Sequence, residues 1–355
     1  MISADYKSKR IAVLSPVAWR TPPRQYGAWE TVASNITEGL VRRGWENVTL
    51  FATADSITKA KLCSVIDRGY EEDKEQDPKV VEILHISELM ERASEFDLIH
   101  NSYDFIPLTF SRLINTPMVT TIHGFSSDKI RRVYRKYKDD CYFVSISDSD
   151  RDSELDYLAT VYNGIDLSNL TVPDKRGDKL VFLGRIHPDK GTHLACKTAK
   201  EAGMELLIAG IVQDQEYFDS LVKPFIDGES IKFIGPVGPV QRDALFKEAY
   251  ALLHLNELAE RFGLVLAEAN GAGVPVIAYD RGSPREVIAD GKTGFLVSNV
   301  AEATIAVGKI GQIDPHNCRR HVEENFSIDC MVAGYEKVYE EIFKREAGKR
   351  HKKNH

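Results

Sequence analysis

The chain has 355 residues, room for about two domains, with 43% hydrophobic and 28% charged residues, the make-up of a globular protein. Its net charge of −7 gives no basis for general affinity to nucleic acid. Cys63, Cys141, Cys196, Cys318 and Cys330 show no CxxC or metal-type spacing, residues 1–10 are polar, and no run reaches membrane-spanning length, so a cytoplasmic protein with free thiols is expected.

Ile11–Leu14 is a short apolar run of the buried-strand type, followed by a loop through Ser15-Pro16 to Gly27. Trp29, Val32, Ala33, Ile36 and Leu40 then recur at helical spacing, and Val48–Ala52 is the next strand. A β-loop-α-β unit of this kind opens a doubly wound sheet. Residues 70–79 read as a solvated acidic loop. Asp97–His100, Met118–Ile122 and Tyr142–Ile146 read as further strands. His100, Asp104 and His123 stand at or just past strand ends, where open α/β sheets bind ligands. Lys129–Lys138 is a basic helix candidate, either a solvated face or a surface for anionic groups and membrane headgroups. Asp148 and Asp150 form an Asp-x-Asp that is rejected as a metal site, with Asp148 expected to cap a following helix.

The polar stretch 167–178 is a linker. After it comes the strand Leu180–Leu183, then Gly184-Arg185 and Lys190-Gly191, with the arginine ending the strand and the lysine opening a helix over 189–202. Strands are expected at Glu205–Ala209, Ile231–Ile234 and Ala251–Leu255. Glu260 precedes Phe262-Gly263, and a helix over 263–271 carries Leu264 and Glu268 before the strand Val274–Tyr279. The first N–H groups of that helix form an anion site suited to a diphosphate. Eight residues of helix rise about 12 Å, roughly the span from a nucleotide's ribose to a sugar beyond its diphosphate. A terminal helix is expected over 328–343, then a basic tail, 344–355, without order. Gly-Lys-Thr at 291–293 is not a P-loop, because Glu286 occupies the position where its first glycine belongs.

The stretches PPRQYGAWE (22–30), NGID (163–166), GRIHPDKG (184–191), ERFGLVLAE (260–268), GSPRE (282–286) and DGKTGFLV (290–297) resemble, in order and spacing, the motifs of retaining GT-B glycosyltransferases, family 4, the glycosyl transferases group 1. Ala28 stands where that family has a second glycine. The resemblance implies two Rossmann-like α/β domains facing each other across a crevice. Residues 1–168 would form the acceptor side and 175–327 the nucleotide-sugar donor side, with the terminal helix crossing back to the first domain. It implies hexosyl transfer with retained configuration and without a metal or other cofactor. The donor would be a nucleotide sugar, UDP-sugars favoured over GDP-mannose. The acceptor would be a saccharide, a lipid-linked group or a small molecule. A peripheral membrane contact through 129–138 and the basic tail fits that last group. Catalytic roles fall to His123, Glu260, Arg185 and Lys190. Gly27, Phe262, Gly263 and Leu264 would join Arg185, Lys190 and Glu260 around the diphosphate and sugar. Glu268 would hold the ribose, and the loop at Gly235 and Val237 the base. A nucleotide-sugar hydrolase or epimerase, or a non-catalytic nucleotide-sugar-binding protein, remains open on the same residues.

Overall fold

The computed structural model describes residues 4–25, 27–125 and 127–353; Tyr26 of the 22–30 motif and the last two residues of the basic tail lie outside them. The chain forms two compact units, residues 1–164 with 328–355, and residues 165–327.

The first unit is built on a parallel sheet of β1 (Arg10–Leu14), β2 (Asn47–Phe51), β3 (Lys61–Cys63), β4 (Leu98–Asn101), β5 (Met118–Ile122), β6 (Tyr142–Ser145) and β7 (Tyr157–Thr160). Its strand order is β3-β2-β1-β4-β5-β6-β7. The central strands are apolar because helices cover both faces; Ile11, Ala12, Val13 and Leu14 are all fully buried. The edge strands β3 and β7 are short and half-buried, and no apolar run announces them. The helix Pro78–Glu91 starts where Asp77 accepts from the N–H groups of Lys79 and Val80, with proline in its first turn.

The terminal helix runs Ile328–Lys353, well past the end expected at 343. Lys344 pairs with Glu340, Arg345 with Glu341 and Lys349 with Glu346, so the basic tail is laced into helix by pairs one turn apart. The helix docks within the first unit. Its Glu336 accepts from Arg43 at 2.7 Å and from the Trp45 indole at 3.1 Å, and Tyr339 meets buried His100 at 2.6 Å. A Cβ at Gly39 would stand 2.4 Å from Val332, so glycine is what lets the two helices close up there. No helix among the described residues is long and apolar enough to cross a membrane.

The second unit carries β8 (Lys179–Leu183), β9 (Leu206–Ala209), β10 (Ile231–Gly235), β11 (Ala249–His254), β12 (Val276–Tyr279) and β13 (Gly294–Val297), in the order β10-β9-β8-β11-β12-β13. All its pairings are parallel, so the carboxyl ends of its strands share one edge. The strand order reverses between β1 and β4 in one unit and between β8 and β11 in the other. Ligands bind at such reversals in open sheets, because flanking loops diverge and leave a crevice.

Candidate functional site

In the second unit the predicted cations follow β8. Arg185 lies 3.2 Å from Asp189 and also bonds Gln213. Lys190 does not open a helix as expected. It ends a 3₁₀ turn, Pro188–Lys190, and the helix begins only at Thr192, after Gly191 at φ 62°. The break has a steric cause. A Cβ on Gly191 would come 2.1 Å from the carbonyl oxygen of Leu255, just past β11. Glycine therefore lets the turn press on the end of β11, and this brings Lys190 to Glu260.

Glu260 is the hub. Its Oε2 accepts from Lys190 Nζ at 2.7 Å, from Asn256 Nδ2 at 2.7 Å and from His254 Nε2 at 3.1 Å, while the Arg261 N–H reaches Oε1 at 3.0 Å. Burial alone would raise this carboxyl's pKa, but the His254 bond and the Lys190 charge outweigh it and hold it far below the usual range. Burial keeps His254 below its ordinary value despite the carboxylate beside it. Asn256 and His254 escaped the sequence reading because a histidine at the end of an apolar strand looks like core. The only available signal was their spacing, four and six residues before Glu260.

The backbone of Glu260 is fixed as well. Its N–H donates to Arg281 O at 3.0 Å, and its carbonyl accepts from the Ser283 N–H at 3.1 Å. Gly282 sits between these bonds at φ 83°, and a Cβ there would lie 2.4 Å from the Glu260 oxygen. Gly282→Ala is expected to lower stability by about 1–3 kcal/mol through backbone strain. A denaturant titration checks this; an unchanged midpoint would mean that the loop tolerates displacement from Glu260.

Phe262 turns its ring into the core, edge-on to Phe326 at 5.9 Å and 2% exposed, so only its backbone remains to face a ligand. The helix Leu264–Gly271 starts at Gly263, φ 77°, with no side chain capping it. Glu268 on that helix is held by Arg242 at 2.5 Å. Arg242 belongs to the helix Pro239–Glu248, remote in sequence, and was not anticipated. Gly235 ends β10, where its carbonyl accepts from the Gly210 N–H at 2.9 Å, and half-buried Val237 follows it. The loops at 185, 213, 235, 256 and 282 thus line the carboxyl edge of one sheet.

In the first unit, His123 follows β5. Its Nε2 lies 2.7 Å from Ser102 Oγ, and its ring stacks on Trp29 with centroids 5.6 Å apart. Burial lowers its pKa to about 3, so the ring is neutral at physiological pH. Its imidazole shifts in NMR should show a neutral ring from pH 7.5 down to about 5; a titration step near the ordinary value of about 6.5 would contradict the buried geometry. Gly27 takes φ 145°, and a Cβ there would meet Pro23 at 2.9 Å. Exposed Ala28 follows, opening the helix Ala28–Arg42.

Two expectations need correcting. The basic helix spans only Arg131–Lys136, and two of its three arginines are engaged: Arg131 with Asp152 at 2.7 Å, Arg135 with Asp152 at 3.3 Å and Glu154 at 3.0 Å. Asp148 caps no helix; it binds the Thr160 hydroxyl and stands 3.4 Å from Arg151, bracing the turn into β7.

Two parallel α/β units, each with a switch point, define a protein of the GT-B fold class, and the cation-and-glutamate cluster lies at the switch point of the second. Residues 168–313 match the family described as glycosyl transferases group 1, so the second unit is a domain of that family. An uncharacterised 41.2 kDa protein in the cps region of Klebsiella pneumoniae is 30% identical over 200 residues, 51% of this chain and 54% of that protein. The phosphatidyl-myo-inositol mannosyltransferase of Mycobacterium leprae is 28% identical over 237 residues, 60% of this chain and 63% of that enzyme. The chain therefore spans between half and two-thirds of these curated relatives. HepE of Anabaena, solved with UDP, superposes with a TM-score of 0.71 at 16% identity, covering 94% of this chain and all of HepE. HepE has also been solved with UDP-glucose.

Proposed function

We propose that the protein transfers a hexosyl group from a nucleotide sugar to an acceptor hydroxyl, with retained configuration and no metal ion. The observation that carries this reading is the Lys190–Glu260 pair, buttressed by His254 and Asn256, on the same sheet edge as Arg185. Arg185 offers a fork and Lys190 a point charge to the leaving diphosphate, joined by the N–H groups at the start of the helix after Gly263. These donors are fixed before the substrate arrives, so they stabilise the charge that develops as the sugar–phosphate bond breaks.

Glu260 already accepts four hydrogen bonds, which suits a charge-stabilising group beside the sugar better than a nucleophile. In the proposed step the C1–oxygen bond to the diphosphate breaks and the acceptor oxygen bonds C1 from the same face. The acceptor's proton passes to the leaving phosphate. His123, neutral and oriented by Ser102, serves as a hydrogen-bonding group for the sugar rather than as a cation. Glu268, steadied by Arg242, binds the ribose. The structures of HepE with UDP and UDP-glucose support a uridine donor. A cytoplasmic location is consistent with the free thiols.

A thermal-shift screen of UDP- and GDP-sugars tests the donor: a ligand at 100 times its dissociation constant adds about 2.7 kcal/mol of stability. Turnover of the donor so found should survive EDTA. Loss of turnover, restored by manganese or magnesium, would overturn the metal-free part of the proposal.

A further inference from the structure

The first unit holds a cavity of about 440 Å³ at its own switch point, between the loop after β1 and the loop after β4. That volume falls in the ordinary range of small-molecule sites, about 300–1,000 Å³. Its walls combine aromatic rings, Trp29, Tyr70 and Tyr103 among them, with the carboxyl groups of Glu30, Glu82 and Asp104. No lysine, arginine or histidine is among its lining residues.

The three carboxyl groups differ in what already holds them. Glu82 accepts from the hydroxyls of Tyr70 and Tyr103. Asp104 accepts from Tyr134 at 2.7 Å. Glu30 is only 3% exposed, and among the described residues its one bond from another residue is a long one, 3.3 Å, from the Trp19 N–H. No cation among the described residues pairs with it. Burial raises Glu30 to about 7 and Asp104 to about 6, as expected of carboxyls facing a low-dielectric space without a counter-charge. Such groups gain from a ligand that brings hydroxyl or ammonium donors. They lose if it brings another negative charge, since like charges placed together cost several kilocalories per mole. Flat aromatic walls add apolar contact for the faces of a ring.

We infer that this cavity receives the acceptor and selects a polyhydroxylated ring that is uncharged or carries an amine, turning away acceptors whose entering end bears phosphate or carboxylate. The choice of acceptor follows from the glycosyltransferase reading above, but the charge selection follows from the cavity alone. Arg131 and Arg135 of the basic helix, already paired with Asp152 and Glu154, offer no competing site for an anion.

The test uses the full chain and three probes on one scaffold: methyl α-glucoside, glucosamine and glucose 6-phosphate. Each is titrated into the wild-type protein and into the near-isosteric double variant Glu82→Gln/Asp104→Asn, with UDP titrated in parallel. In the wild type the first two should bind, and glucose 6-phosphate should bind at least about tenfold more weakly, as a repulsion of this kind requires. In the double variant glucose 6-phosphate should gain on the others and the gap should close. Equal or tighter binding of glucose 6-phosphate to the wild type overturns the inference, as does no binding of any probe or an unchanged gap in the variant. The nucleotide arm separates the two claims. If neither UDP nor GDP, titrated in the same way, binds while the sugars discriminate as stated, the donor proposal fails and the charge selection stands.

Discussion

Lys190→Ala should unfold at lower denaturant by about 3 kcal/mol and should bind a nucleoside diphosphate at least about tenfold more weakly. The stability loss comes from Glu260. Its side chain is 12% exposed, and Lys190, 21% exposed, is the cation on it. Without the ammonium, a largely buried carboxylate keeps only the neutral donors His254, Asn256 and the Arg261 N–H, and breaking one half of such a pair typically costs about 3–5 kcal/mol. Partial exposure puts the expected figure at the lower end. The affinity loss is a separate effect, the removal of a charge-assisted contact to phosphate. The double variant Lys190→Ala/Glu260→Gln should recover part of the stability, because the unpaired charge is gone, but none of the affinity. Urea titrations and calorimetry on the single and double variants read both quantities. A single variant as stable as the wild type would show that Glu260 does not depend on Lys190. An unchanged affinity would place the diphosphate elsewhere.

Glu260→Gln should depress kcat and kcat/KM together, by about a hundredfold, and leave nucleoside diphosphate affinity undiminished. The glutamine keeps an oxygen to accept from its neighbours but removes the negative charge set beside the sugar. Lys190 stays in place for the phosphate. Glu268→Ala should act the other way, weakening the nucleotide sugar and the free nucleoside diphosphate alike, by about tenfold, because the ribose is common to both. The loss would come partly through Arg242, which that change leaves without its carboxylate. If Glu260→Gln loses nucleoside diphosphate affinity while Glu268→Ala keeps it, the two roles are reversed. If neither changes turnover, the cluster is structural.

What the sequence disclosed and what it withheld follow from range. The central strands were legible because they are buried on both faces; β5 fell on Met118–Ile122 as expected. The edge strands β3 and β7 were not, since three or four half-buried residues make no pattern. The pairing of Lys190 with Glu260, beside Arg185, was approached in the sequence only through the family-like stretches 184–191 and 260–268. The supports of the donor cluster were not legible: Arg242 meets Glu268 from another helix, and His254 reads as a core residue until Glu260 is placed beside it. The left-handed Gly191, which moves Lys190 off the helix, answers to a carbonyl more than sixty residues away. The terminal helix is different, because the pairs that extend it are local. Its basic composition masks the glutamates spaced one turn from Lys344, Arg345 and Lys349.

The central claim is that the loops around Arg185, Lys190 and Glu260 bind the diphosphate of a nucleotide sugar. Calorimetric titration of UDP and GDP, in EDTA, into the wild-type protein and Arg185→Ala tests it most directly. Arg185 is bonded to Asp189 and Gln213 and is 28% exposed, so its removal leaves Glu260 and its partners intact and isolates the phosphate contact. The account predicts that one of the two nucleotides binds the wild type and binds Arg185→Ala at least about tenfold more weakly. Equal affinity in the two proteins, or no binding of either nucleotide, would contradict it.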